Sequence, residues 1–106
     1  MTRRLTEREK DLVRALILRA PALHVDEAWL EQVLVTPMDD GGMGSLTFCW
    51  PDEGGRLEAA AELQFLDADQ VPVSASLNVD GDGRIRELDI WKVDFSPRES
   101  IPSDLS

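Results

Sequence analysis

Carboxylates dominate the side chains of this sequence that can do chemistry, and they come in spaced groups. Glu58 and Glu62 share one alternating segment, and Glu87 and Asp89 share another. Two carboxylates on one strand face can divide acid and base roles when burial drives their pKa values apart. A water-facing strand holds the same residues routinely. Glu58 and Glu62 have only Ala60 and Gln64 beside them at the same parity, which favours a wetted face. Glu87 and Asp89 share parity with Ile85, Trp91, Val93 and Phe95, whereas Leu88 and Ile90 lie opposite. Either a β-bulge switches the faces here, or a carboxylate points into the core and needs Lys92, Arg84 or Arg86 as its partner.

The loop Asn78–Asp89, N-V-D-G-D-G-R-I-R-E-L-D, places oxygen side chains at positions 1, 3, 5 and 12 with Gly at 6. That spacing resembles an EF-hand calcium loop, in which carboxylates wrap a hard cation. Asn stands at the first position, however, and Asp at the last where a longer bidentate Glu is used, and both flanks read as strands. Extended flanks pull the two ends into a ladder, so a plain hairpin without metal is the favoured reading. Asp39–Gly44, D-D-G-G-M-G, is a turn rich in residues that accept positive φ. No Lys or helix follows it to cradle a phosphate, and two acids precede it, so a shaped turn with Met43 as an apolar tip is favoured. The single His24 and the single Cys49 lie far apart in sequence. Nothing orients one toward the other as base and nucleophile, and they are too few for a structural zinc site.

The elements that position these groups follow from periodicity. Thr6 with Glu9 is a capping-box pair, and Leu12, Val13, Leu16, Ile17 and Ala20 recur at helical spacing, so a helix is expected from Thr6 to about Arg19, stopped by Pro21. Asp26 can cap a second helix with Trp29, Leu30, Val33 and Leu34 as its stripe. The period then drops to two. Val33–Met38, Ser45–Trp50, Arg56–Leu66 and the pair of strands within Val71–Phe95, joined by a turn at Gly81–Gly83, make five strands. The expected fold is a single α+β domain with two N-terminal helices packed on a five-stranded, curved antiparallel meander sheet. Leu12, Leu16, Ile17, Trp29, Leu63, Phe65, Val73, Leu77 and Ile90 form its predicted core, and Ser96–Ser106 reads as a loosely attached tail.

At 106 residues the chain suits one domain, and a net charge of −10 sets its choice of partner. Such a field repels nucleic acid and anionic membrane surfaces and speeds encounter with a basic protein. The N-terminal arginines are interspersed with Glu7, Glu9 and Asp11 and form no basic patch. No apolar leader or membrane span is read, and the lone Cys49 suits a reducing cytoplasm.

D-D-G-G-M-G-S-L at Asp39–Leu46, E-L-D-I-W-K-V-D-F-S-P at Glu87–Pro97 and the opening L-T-E-R-E-K at Leu5–Lys10 resemble a family of small bacterial proteins of unknown function. The resemblance spans most of the chain and transfers no catalytic residue. In size and acidity that family is similar to the immunity proteins that bacteria encode beside polymorphic toxins. The expectation is therefore a non-enzymatic, cytoplasmic partner-binding protein without a cofactor, whose carboxylates at Asp39, Asp40, Asp80, Asp82, Glu87 and Asp89 occlude a basic site. Trp50, Trp91 and Met43 are the candidate apolar contacts. A small-molecule binder or enzyme with a pocket between helices and sheet is the alternative, and homodimerisation through an edge strand stays open.

Overall fold

The computed structural model describes residues 1–23, 25–102 and 105. His24 and residues 103, 104 and 106 of the expected tail lie outside the described residues. A two-residue strand, β1 (Arg3–Arg4), leads into α1 (Glu7–Ile17). Thr6 caps that helix, its hydroxyl accepting the Glu9 N–H at 3.2 Å while the Glu9 carboxylate accepts the Thr6 N–H at 2.8 Å, so both halves of the capping box form. The Asp26 carboxylate accepts the Ala28 N–H at 3.0 Å and starts α2 (Glu27–Gln32). Val33 and Leu34 are not part of that helix. Val33 is its extended C-cap, and β-branched Val35 and Thr36 carry the chain on as a strand.

The remaining strands are β2 (Leu34–Pro37), β3 (Leu46–Phe48), β4 (Glu58–Leu66), β5 (Pro72–Val79) and β6 (Ile85–Lys92). With β1 they form a six-stranded antiparallel sheet in the order β1-β2-β3-β6-β5-β4, which corrects the expected five-stranded meander in two respects. Arg3 and Arg4 pair with Val35 and Leu34 and add an edge strand. Furthermore, β3 joins β6 rather than β4, with Leu46 opposite Leu88 and Thr47 opposite Glu87. The physical reason lies in the strands themselves. β6 buries Ile85, Arg86, Leu88, Ile90 and Lys92 and is placed inside the sheet, whereas β4 turns Glu58, Glu62 and Gln64 to water and takes the edge.

Two bulges decide which way the side chains point. The β5–β6 register slips so that Val79 opposes Ile85 while Asn78 opposes Glu87, leaving Arg86 as the extra residue. Ile85, Leu88 and Ile90 therefore all reach the core, and Glu87, Asp89 and Trp91 share the other face. A second slip leaves Ala60 extra, so Glu62 opposes Ser76 while Glu58 opposes Val79. Glu58 and Glu62 thus lie on opposite faces, not on one as their spacing implies.

Both helices cover the same face. α1 packs over β4 and β5, and Trp29 of α2 stacks on Phe48 of β3 with ring centroids 5.6 Å apart. Leu12, Leu16, Leu63, Phe65, Val73, Leu77 and Ile90 are buried between these layers as the sequence predicts, while Ile17 and Trp29 are half-buried at the rim.

Residues 97–101 are strapped to the domain, which corrects the expectation of a loose tail for that stretch. Asp67, at the β4–β5 turn, is fully buried, and its carboxylate accepts N–H groups from Glu99 at 2.7 Å, Ser100 at 2.8 Å and Ala68 at 2.8 Å. Lys92, itself buried, reaches the same carboxylate at 3.0 Å and Asp69 at 2.5 Å. Ile101 then closes the core beside them. Pro- and Ser-rich composition argues for looseness, but a buried carboxylate that needs these donors overrides it.

Candidate functional site

The face of the sheet left bare by the helices is a grid of polar side chains. Across β3, β6, β5 and β4 one row reads Thr47, Glu87, Asn78, Ala59, the next runs Asp89, Ser76, Glu62, and a third runs Trp91, Ser74, Gln64. Pleating fixes this arrangement once the two bulges are in place, because alternate residues of each strand project to one side. Ser74 and Ser76 are buried among their larger neighbours, and the network around them is neutral: Gln64 Nε2 donates to Ser74 Oγ at 3.2 Å and Ser76 Oγ donates to Asn78 Oδ1 at 3.1 Å.

Glu62, Glu87 and Asp89 converge on this grid without a cation. Glu87 accepts only the Asn78 amide at 3.2 Å and Asp89 only the Ser45 hydroxyl at 3.2 Å, and no Lys or Arg pairs with any of the three among the described residues. By register Arg4 falls on the same face, but on β1, three strands from β6. Trp91 lies half-buried next to the acids.

Two other acids expected at the site, Asp40 and Asp80, are bound to donors within their own turns. Asp40 is half-buried, and its carboxylate accepts the N–H groups of Ser45 at 2.9 Å, Met43 at 3.1 Å and Gly44 at 3.4 Å. Burial alone would raise the Asp40 carboxyl, yet these donors outweigh it and hold the group below the usual carboxylate range. Gly44 closes the turn at φ +97°, a backbone conformation that favours glycine. Met43 is no exposed tip. It is half-buried, its Sδ accepts the Lys92 N–H at 3.4 Å and its carbonyl accepts Arg98 Nε at 2.9 Å.

Asp80 is buried at the β5–β6 hairpin, accepting the N–H groups of Asp82 at 2.9 Å and Arg84 at 3.1 Å and holding Arg86 Nε at 2.6 Å. Against the desolvation that burial imposes, the Arg86 and backbone donors bring its carboxyl below the ordinary value. Asn78 and Glu87 are cross-strand partners, so the calcium-like spacing is a hairpin whose central acid is already occupied. Arg86 also reaches Asp52 at 3.1 Å. Asp39 and Asp82 are exposed.

Trp50 belongs to the helix side. Its Nε1 donates to the Ile85 carbonyl at 2.8 Å, its ring stacks 6.2 Å from Trp29, and the Arg84 and Arg86 guanidinium carbons stand 5.1 and 5.5 Å from its centre. A cleft of about 300 Å³ opens there between α2 and the sheet, walled by Val25, Trp29, Trp50, Arg84 and Ile85. Cys49 is exposed, with Thr36 Oγ1 3.7 Å from its sulfur.

Sequence reasoning therefore brought Glu87, Asp89 and Trp91 together, whereas the structure places Asp40, Asp80 and Met43 in hydrogen-bonded turns and Trp50 on the helix side of the sheet. It set Glu58 and Glu62 aside together as one wetted face; the bulge at Ala60 that turns Glu58 to the opposite face leaves no mark in a simple alternation. Two alanines adjoining a third, Ala59-Ala60-Ala61, are the sole hint.

Comparison with known protein families places this chain: it belongs to the family described as a domain of unknown function, DUF6984, which matches residues 2–102. No curated protein and no solved structure matches it. No helix among the described residues is long and apolar enough to cross a membrane.

Proposed function

We propose that this member of the DUF6984 family is a non-enzymatic binding protein whose uncovered sheet face receives a basic surface of a partner protein. The observation that carries the proposal is the gathering of Glu62, Glu87 and Asp89 on one uncovered sheet face with no cation against them among the described residues, whereas Asp52 and Asp80 are matched to Arg86 and Asp67 and Asp69 to Lys92. Carboxylates left in this state gain from an incoming Lys or Arg, and the net charge of −10 steers such a partner in from solution. Trp91 supplies an aromatic contact at the same surface. Occlusion of a basic toxin site in the manner of an immunity protein, in a reducing cytoplasm that suits Cys49, is the specific form of binding this surface supports.

A second reading has an observation of its own. The cleft between α2 and the sheet pairs apolar walls with Asp26 and with Arg84, which Asp52 holds at 3.2 Å, as a site for a small, mainly apolar ligand with a polar end would.

Capture from the source cell with wild-type protein and with a Glu87→Lys, Asp89→Lys variant separates these readings. A partner retained by the first bait and lost from the second, with an on-rate that falls as salt rises, is expected. Retention by both baits would reject the acidic face. Turnover of a small molecule that survives the double reversal would move the protein to the cleft-based reading.

A further inference from the structure

The uncovered face changes character along its strands. At the Glu87 end it is acidic, but past Trp91 the ladder continues into Leu66, Pro72 and Val93, with Leu66 opposite Pro72 and the Val93 N–H donating to the Pro72 carbonyl at 3.0 Å. Leu66 is 52% exposed and Val93 49% exposed, and Trp91 stands between this apolar end and the carboxylates. Large apolar side chains grouped on one bare surface mark contact sites, whereas single ones need no explanation.

Resting on the binding reading above, we propose that the partner's contacting element is a basic amphipathic helix laid along the strands. Its Lys and Arg side chains meet Glu62, Glu87 and Asp89, and its apolar side chains cover Trp91, Leu66 and Val93. The interior of a sheet face offers no free backbone groups, so it recruits no strand, and the element that buries a sheet face is a helix or another sheet. From Glu87 to Val93 the strand runs about 20 Å, at roughly 3.3 Å per residue. About 13 helical residues span that distance. A second copy of this chain is the poorer occupant. Two molecules of net charge −10 repel, and a two-fold contact on this face would bury carboxylates with no cations to meet them.

The test uses a synthetic Leu/Lys amphipathic helix of about 15 residues and a scrambled peptide of identical composition, each titrated calorimetrically into the full chain. The amphipathic peptide is expected to bind about tenfold tighter, a difference of about 1.4 kcal/mol. Leu66→Ser with Val93→Ser should erase that preference and leave the scrambled peptide's affinity unchanged, while Glu87→Gln with Asp89→Asn should weaken both peptides. All four positions are at least partly exposed, and denaturant melts confirm that the variants fold. Equal affinity for the two peptides, failure of the amphipathic peptide to bind, or a preference that survives the Leu66 and Val93 changes would overturn the helix. So would a dimer, detected by sedimentation, that dissolves on those same changes. Indifference of both peptides to the Glu87 and Asp89 changes would instead overturn the acidic-face reading beneath it.

Discussion

Under the C-terminal strap, Asp67 gathers three backbone N–H groups and the Lys92 ammonium, whereas on the bare side of the same sheet Glu62, Glu87 and Asp89 meet one amide and one hydroxyl among the described residues. Desolvation alone would drive the Asp67 carboxyl upward, but the Glu99, Lys92, Ala68 and Ser100 donors pull it far below the ordinary range. Lys92 is held above its usual value first by Asp69 and then by Asp67. The same residue type thus does opposite work in two regions of one small domain. What separates them is the supply of backbone donors and of a cation: a turn, a returning chain and Lys92 provide them to Asp67, while a strand face, whose backbone groups are committed to the ladder, leaves Glu87 and Asp89 one neutral side-chain donor each.

Removing Asp67 should do the most damage. Asp67→Ala releases residues 99 and 100 and leaves a buried ammonium with one of its two carboxylates, so a loss of roughly 3–5 kcal/mol is expected in urea melts. A loss below about 1 kcal/mol would show that the strap is ornamental. Leu77 and Ser76 sharpen the comparison because they are sequence neighbours on opposite faces. Leu77 is fully buried on the helix side, and Leu77→Ala should cost about 2–5 kcal/mol in the same melts.

Acid should reach the two regions differently. Asp40, Asp67 and Asp80 all titrate below the usual carboxylate range when folded. The unfolded chain therefore binds more protons as pH falls, so their contribution is complete above about pH 4 and is lost progressively below it. Lys92, shifted upward, contributes fully at neutral pH and loses its contribution only as pH rises above about 10.4. Chemical denaturation between pH 2 and pH 7 should show a steep acid limb that Asp67→Asn flattens. An unchanged limb would mean that the strap's carboxylate is not what acid attacks. The smallest effect is expected on the bare face, where Glu62→Gln, Glu87→Gln and Asp89→Asn should each leave stability within about 0.5 kcal/mol of wild type. A larger loss at any of them would give that acid a structural role.

Much of this was legible from the residues. Thr6 and Glu9 announced the first helix, the alternation from Val71 onward announced the β5–β6 hairpin, and the parity conflict between Glu87 and Leu88 left a bulge and a core-facing carboxylate as alternatives, of which the extra Arg86 makes the bulge the real one. The strand order was not legible, because β3 joins β6 through contacts far apart in sequence, and short connections favour neighbours that the edge preference of β4 overrules. Nor did local pattern distinguish Asp40 and Asp80 from Asp39 and Asp82. All four sit in Gly-rich turns, and only the folded turn shows whose carboxylate captures the N–H groups. Trp50 is a different case: alternation put it on the apolar face with Leu46 and Phe48, where it lies, but nothing in the sequence said that Trp29 and two arginines would close over it.

The division of labour between the two regions is tested most directly by mapping amide chemical shifts of the labelled chain as a captured partner is added. The largest shifts should fall on Glu62, Leu66 and Glu87 through Val93, with Asp67 and residues 99–101 still. Shifts centred on the strap, or on Val25, Trp29 and Arg84 at the cleft, with the bare face silent, would contradict the account.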